Sequence, residues 1–309
     1  MQIYEYPEKS IKGTGCVLAL GFFDGVHIAH RDLILTAREE AERLGLPLGI
    51  FSFRGAIKEG VERIYTDDEK CEIFESLGAD FVIFADFAEI KDCSAEDFVR
   101  RVLAHELDCS VAVCGFNFRF GRGASGDAEL LREIMESLGK RAIIKQEITL
   151  GGETVSATQI RELIAIGEMK KATELLGAPY YIKGRIEHGN STGRTLGFPT
   201  VNIPITDGKV VPKRGVYRTA IPMGERIYTA ITNVGVCPTF APREVHLEGY
   251  ILDFEGDVYG EEIKIFLLDF MREEIAFSSP NELKMQINVD KNRAIKENGD
   301  ITWQELGLK

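Results

Sequence analysis

CVLALGFFDGVHIAH, residues 16–30, decides how the first half of this chain folds. The run from Cys16 to Leu20 is short, apolar and uncharged and ends at a glycine, the pattern of a buried strand, here the first of the chain. Beyond His30 comes RDLILTAREEAERLG, in which Leu33, Ile34, Ala37 and Ala41 recur at helical spacing. The segment therefore predicts a strand, a glycine-containing turn and a helix. His27 and His30 stand three residues apart in the opening turns of that helix, so both imidazoles share one face and can reach one ligand. Unpaired backbone N–H groups and the positive end of the dipole gather at such a start, which suits phosphate. Two plainer readings stay open: half of a metal site, although no compact set of further His, Cys or carboxylate ligands is recognisable nearby, or ordinary surface histidines.

The same grammar repeats outward from this junction. Strand-like runs follow at LGIFSF (48–53), DFVIFA (80–85), SVAVCGF (110–116) and RAIIKQE (141–147), separated by helical stretches near 30–44, 67–77, 94–107 and 127–138. Near-continuous Val, Ile and Phe runs alternating with helices predict a Rossmann-like α/β domain, a parallel sheet with helices on both faces. No G-x-G-x-x-G marks a dinucleotide site. Where SVAVCGF ends, NFRFGRGASGD (Asn117 to Asp127) supplies Gly121, Gly123, Gly126 and Asp127, suited to a tight loop that lets backbone approach a ligand, or to a plain surface loop. SATQIRELIAIG opens on Ser156, a good N-cap, with Thr158 and Arg161 close behind. That is either a capped helix or two hydroxyls and a guanidinium for a polyphosphate tail.

EMKKATELLG (168–177) stops at Gly177 and Pro179, and the texture changes. From Tyr180 on, YIKGRIE, TVNIP, GVYRTAIP, RIYTAITNV, LEGYILDF and EIKIFLLDF follow one another without helices, predicting a small antiparallel β-barrel with a C-terminal helix in residues 280–309. The expected domains are residues 1–178 and 179–309. HGNSTGRTLGFPTVNIP (188–204) holds Gly189, Gly193 and Gly197, bare enough backbone to wrap phosphates, or simply a glycine-rich hairpin. Thr200 and Asn202 share one strand face and offer a hydroxyl and an amide oxygen, hard ligands that Mg²⁺ accepts beside nucleotide phosphates. Glu248, at the start of an apolar strand, is either a solvated acid or, if it lies beside the glycine loop, a general base.

Composition bounds the function classes. With 309 residues, 44% hydrophobic and 28% charged, the chain has material for two ordinary globular cores. A net charge of −12 and the lack of a basic stripe disfavour nucleic acid as partner. No apolar stretch has membrane-spanning length, and MQIYEYPEK has neither the basic nor the apolar part of a signal peptide, so a cytoplasmic protein is expected. The six cysteines form no CxxC pair and several sit in apolar runs, which fits buried reduced thiols. Nothing in the sequence fixes an oligomeric state.

Six ordered motifs and one arginine together resemble the bacterial bifunctional riboflavin kinase/FMN adenylyltransferase family, or FAD synthetases, over nearly the whole chain. GFFDGVHIAH stands where that family has G-x-F-D-G-V-H-x-G-H, and GFNFRFGRGASGD and SATQIR match the next two nucleotidyltransferase motifs. GRTLGFPTVNI, NVGVCPTF (233–240), LEGYILDF and the arginine of DFMREE are similar to the flavokinase half. The resemblance implies that the C-terminal half converts riboflavin and ATP to FMN. Glu248 would take the proton of the ribityl 5′-hydroxyl, Thr200 and Asn202 would hold Mg²⁺, and Arg272 would lie near the flavin. It implies that the N-terminal half joins FMN to a second ATP, giving FAD and pyrophosphate. His27 and His30 would stabilise charge on the transferring group, Asn117 would help bind nucleotide, and Ser156, Thr158 and Arg161 would hold the departing phosphates. Gly21, Phe23, Asp24 and Asp127 of the first half, and Gly189, Gly193, Arg194 and Asn233 of the second, belong to the same ligand-binding motifs.

Two departures stand out: Ala29 replaces the glycine of H-x-G-H, and FSFRGAIKEG (51–60) stands where the family reads F-x-P-H-P. They leave three rivals: a riboflavin kinase with impaired adenylylation, a flavin-binding regulator without turnover, and a nucleotidyltransferase half acting on another phosphate such as a sugar or polyol phosphate.

Overall fold

The structure, a computed structural model, describes residues 1–7, 13, 15–55, 60–187, 200–206, 208–236, 245–296 and 301–308. Two compact units divide it, Met1–Ala157 and Thr158–Lys309.

The first unit is a six-stranded parallel sheet. Its strands are β1 (Gln2–Tyr6), β2 (Cys16–Leu20), β3 (Leu48–Phe53), β4 (Phe81–Ala85), β5 (Cys109–Gly115) and, beyond the two-residue strands β6 (Arg119–Phe120) and β7 (Gly126–Asp127), β8 (Arg141–Lys145). The spatial order is β1-β4-β3-β2-β5-β8, with every pairing parallel. The CVLAL strand is therefore central rather than first, because QIYEY adds an edge strand on β4 that its mixed polar sequence conceals. Helices α1 (Ile28–Leu44), α2 (Asp67–Ser76), α3 (Phe87–Ile90), α4 (Ala95–Asp97) and α5 (Ala128–Ser137) connect the strands, and α4 runs directly into π-helical turns over Phe98–Glu106. Both faces of β2 are buried, as the uncharged run demands. Cys16, Leu18 and Leu20 join a core with Phe98, Val99, Leu103, Leu131 and Met135, while Val17 and Ala19 point the other way, and α1 buries Leu33, Ile34, Ala37 and Ala41.

Chain direction matters more than the sheet itself. From β2 the chain moves outward to β3 and β4, then returns to β5 on the opposite side. Beyond the C-terminal ends of β2 and β5 the connections diverge, leaving the crevice where ligands of open α/β sheets sit.

A short hairpin, β9 (Thr149–Leu150) and β10 (Glu153–Thr154), precedes α6 (Ala157–Ile166) and α7 (Met169–Leu176). The second unit then builds an antiparallel sheet from β11 (Tyr181–Arg185), β12 (Thr200–Pro204), β13 (Gly215–Met223), β14 (Arg226–Val236), β15 (Val245–Ile251) and β16 (Glu262–Arg272), followed by α8 (Pro280–Lys296). Its order is β11-β16-β13-β14-β15-β12, and an isolated bridge joins Glu187 to Asn202, whose carbonyl accepts from the Glu187 N–H at 2.8 Å. That bridge brings the first and last strands together and closes the sheet into a barrel. Gly184 permits the closure: a Cβ there would meet Ile203 Cγ2 at 2.2 Å.

Alanine at position 184 is expected to cost about 1–3 kcal/mol by overpacking. Urea unfolding of Gly184→Ala, alone and with Ile203→Ala, checks this: the second substitution should recover part of the loss, and additive losses would show that the two groups do not collide.

Candidate active site

Between β2 and α1 the backbone is unusual. Phe23 (φ 56°) and Val26 (φ 40°) adopt left-handed conformations that side chains with a Cβ rarely enter, with Gly25 (φ 77°) between them. Burial compensates the strain. Phe23 and Val26 are fully enclosed, and the Phe23 ring meets Phe74 edge-on at 5.6 Å and His30 at 5.2 Å. Asp24 is 7% exposed, and its Oδ1 accepts from the Ile64 backbone N–H at 3.0 Å. The Gly21 N–H donates to Phe51 O at 3.2 Å, and a Cβ on Gly21 would press on the Phe23 ring.

This turn sets the histidines. His27 is the N-cap residue of α1 rather than part of its first turn, with extended backbone (φ −68°, ψ 174°), and His30 follows inside the helix. Their rings stack with centroids 3.6 Å apart and planes 17° from parallel. Both Nδ1 atoms are buried without a hydrogen-bond partner among the described residues. Burial pushes the His27 pKa down to about 4, and burial together with the His27 ring holds His30 well below the ordinary histidine value. At neutral pH the pair is therefore uncharged, and what it offers a ligand is hydrogen bonding.

The rings face a cleft of about 280 Å³ beyond the ends of β2, β5 and β8. Phe23, Asp24, His27, His30, Asn117 and Ser156 line it together, which brings six of the expected residues to one place. Asp127 does not line it: its carboxylate caps α5 through the Leu130 N–H at 2.9 Å and faces Arg119 at 3.6 Å. Thr158 and Arg161 lie on α6, where the guanidinium donates to the Thr158 hydroxyl at 3.1 Å.

In the barrel, strand register does the assembling. Asn202 on β12 stands opposite Glu248 on β15, which stands opposite Asn233 on β14, so the three side chains share one face. The Thr200 hydroxyl donates to Glu248 Oε1 at 3.0 Å, which places Thr200, Asn202 and Glu248 in one cluster. The register row continues through Val216 to Arg272. Arg272 is fixed from behind: its Nε and Nη2 donate to the carboxylate of Asp290 on α8 at 2.8–3.2 Å, and Gln286 donates to the same carboxylate at 3.0 Å. Asn233 Nδ2 donates to Glu274 Oε1 at 3.2 Å. Gly189, Gly193 and Arg194 lie outside the described residues.

Comparison with known proteins covers both sites. Residues 9–159 match the FAD synthetase family and residues 176–297 match riboflavin kinase. The Bacillus subtilis (strain 168) bifunctional riboflavin kinase/FMN adenylyltransferase is 33% identical over 91% of this chain and 92% of its own, and that of Escherichia coli (strain K12) is 34% identical over 90% and 91%. The chain belongs to the bifunctional riboflavin kinase/FMN adenylyltransferase family. A solved structure of a macrolide-efflux protein from Streptococcus pneumoniae is also similar, 27% identical with a TM-score of 0.86, covering 96% of this chain and 100% of that one; this likeness is one of fold. Among the described residues, no helix is long and apolar enough to cross a membrane.

The departures from the family pattern have visible consequences. Ala29, in place of glycine, lines the cleft and adds a methyl group to its wall. Where the family carries Pro-His-Pro, β3 ends at Phe53 and runs into Arg54 and Gly55. Lys70 of α2, 2% exposed, occupies this end: its ammonium donates to Phe53 O at 3.3 Å, pairs with Asp67 at 2.9 Å and lies 5.2 Å from the centre of the Phe22 ring. Lys145 and Phe22 also line the cleft, and neither was legible as a site residue. The signal for Lys145 was its place at the end of RAIIK, on the side of the sheet where ligands bind.

Metal fits the barrel cluster by donor chemistry. A hydroxyl, an amide and a carboxylate supply only hard oxygen donors, as Mg²⁺ prefers. Among the described residues, no group of three or more His, Cys, Asp or Glu side chains gathers as a metal site.

The buried imidazole makes stability depend on pH. His27 binds its proton near pH 6.5 when unfolded but only near 4 when folded, so acidification through that window favours the unfolded state. Lowering the pH from about 7 to about 5 should cost the native protein about 2 kcal/mol more than it costs His27→Gln, read by urea unfolding at both pH values. An equal loss in both proteins would contradict a neutral buried His27.

Proposed function

We propose that the chain phosphorylates riboflavin to FMN in its barrel and adenylylates FMN to FAD in its N-terminal cleft, each with ATP. The observation that carries this reading is that one chain matches both families in order, residues 9–159 and 176–297, and that each match contains an assembled cluster of polar residues. The division between the two activities is placed at 178/179, where the helical texture gives way to strands.

In the barrel, Glu248 accepts the proton of the riboflavin 5′-hydroxyl. The freed oxygen attacks the γ-phosphorus of ATP, the bond to the β-bridging oxygen breaks, and ADP leaves with FMN formed. The Thr200 hydroxyl, 3.0 Å from the carboxylate, orients Glu248 for this transfer. Thr200 and Asn202 would hold Mg²⁺, which when bound neutralises charge on the nucleotide phosphates. Arg272, locked by Asp290, sets a fixed positive charge at the far end of the row, near the flavin.

In the cleft, a phosphate oxygen of FMN attacks the α-phosphorus of a second ATP, and pyrophosphate departs as the bond between the α-phosphorus and its bridging oxygen breaks. No proton transfer and no covalent enzyme intermediate is required. His27 and His30, neutral and stacked, donate hydrogen bonds to the developing charge. Asn117 binds the nucleotide, and Ser156, Thr158 and Arg161 receive the departing phosphates. Phe23, Gly21 and Asp24 shape the turn that presents the histidines.

One observation favours a second reading, a kinase with impaired adenylylation: the β3 end lacks the family's Pro-His-Pro. A cytoplasmic location completes the proposal and fits the five described cysteines, all free thiols.

Feeding each site separately tests the assignment. Glu248→Gln should abolish most FMN formation from riboflavin while still converting supplied FMN to FAD. His27→Ala should keep FMN formation but lose roughly 100-fold in FAD formation, about 3 kcal/mol of barrier. Loss of both products in either variant would contradict independent sites, and unchanged FAD formation in His27→Ala would remove His27 from the mechanism.

A further inference from the structure

The N-terminal cleft must hold two strongly anionic substrates, yet its central imidazoles are neutral. Asp24 adds a negative charge that is committed to the Ile64 N–H, and Glu147 adds another at the rim. Among the described residues that line the cleft, Lys145 carries the only cationic side chain.

Lys145 ends β8, and its carbonyl accepts from the Phe116 N–H at 2.8 Å, tying it to the loop that carries Asn117. Its ammonium pairs with Asp32 Oδ2 at 2.8 Å and donates to the Thr36 hydroxyl at 3.0 Å, both on α1, the helix that presents His27 and His30. An ammonium has three donors, so one remains for a ligand. The Asp32 carboxylate is 42% exposed, and so solvated an ion pair is weak enough to be exchanged for a multiply charged oxyanion.

We propose that Lys145 is a phosphate-binding residue of this cleft, receiving a phosphoryl oxygen of FMN or of ATP during adenylylation. The inference rests on the adenylyltransferase reading above. It gives the cleft wall a cation of its own beside the proposed Arg161: the histidines meet the charge that develops in the reaction, Arg161 the departing phosphates, and Lys145 the charge the substrates already carry.

The test is steady-state FAD formation with FMN and ATP varied separately, for the full chain and for Lys145→Met, Lys145→Arg and Asp32→Asn. Lys145→Gln serves as the charge-removing variant should Lys145→Met not fold. Removing the charge should raise the KM of one substrate by about tenfold with kcat within about threefold, and the substrate affected identifies the source of the phosphate. Lys145→Arg should restore most of that KM. Asp32→Asn should leave both KM values within about twofold, since it breaks the ion pair but keeps the cation. Kinase turnover from riboflavin should be the same in all variants. KM values within about twofold of the native chain in Lys145→Met would overturn the proposal, as would Asp32→Asn reproducing the Lys145→Met defect, which would make the ion pair merely structural. A native chain that forms no FAD from supplied FMN would overturn the adenylyltransferase reading and this inference with it; FAD formation with unchanged KM values would overturn this inference alone.

Discussion

The N-terminal unit depends on a strained turn. Phe23 and Val26 hold left-handed backbone at a cost of order 1–3 kcal/mol each. That cost persists because the surroundings over-determine it: both side chains are fully buried, and the Asp24 carboxylate ties the turn to the Ile64 backbone. The consequence is positional. A relaxed strand-to-helix turn would carry His27 into the helix, whereas this one leaves it at the cap, stacked on His30 and over the crevice beyond β2 and β5. Burial that stabilises the turn also strips the imidazoles of charge, so one arrangement fixes both the place of the histidines and their chemistry.

The barrel solves its problem differently. Its cluster needs no strained backbone, because antiparallel register brings residues distant in sequence side by side: Asn202, Glu248 and Asn233 fall in one row across three strands. The row is as rigid as the sheet, and α8 secures its far end through Asp290 and Arg272. One unit therefore assembles its site at a loop between a strand and a helix, the other on the face of a sheet. That difference suits the two proposed chemistries: proton removal needs a carboxylate on a firm support, whereas displacement at an α-phosphorus needs polar groups gathered in a crevice.

Much of this was legible in the chain because the informative stretches are contiguous. LGIFSF forms β3 over the same residues, Leu48–Phe53, and the six runs after Tyr180 each became a strand, since both patterns arise from burial on one or two faces. What escaped was what no local pattern carries. QIYEY became an edge strand because β4 offered it a partner, and the expected helix over 94–107 widened into π-helical turns after Asp97. Asp127, expected in a ligand-binding glycine loop, serves as the cap of α5, a use that its place one residue before a helix could have announced. Lys145 and Lys70 reach their sites only through tertiary packing. The Asp290 contact that holds Arg272 spans 18 residues and two elements, beyond any motif.

The central claim is that one chain carries both reactions in sequence, and the most direct measurement is a time course of flavin products from riboflavin with Mg-ATP. FMN should appear first and FAD should follow as FMN accumulates, with ADP and pyrophosphate released in step with the two products. FMN that accumulates with no FAD would contradict the account of the N-terminal cleft, and no FMN at all would contradict the account of the barrel.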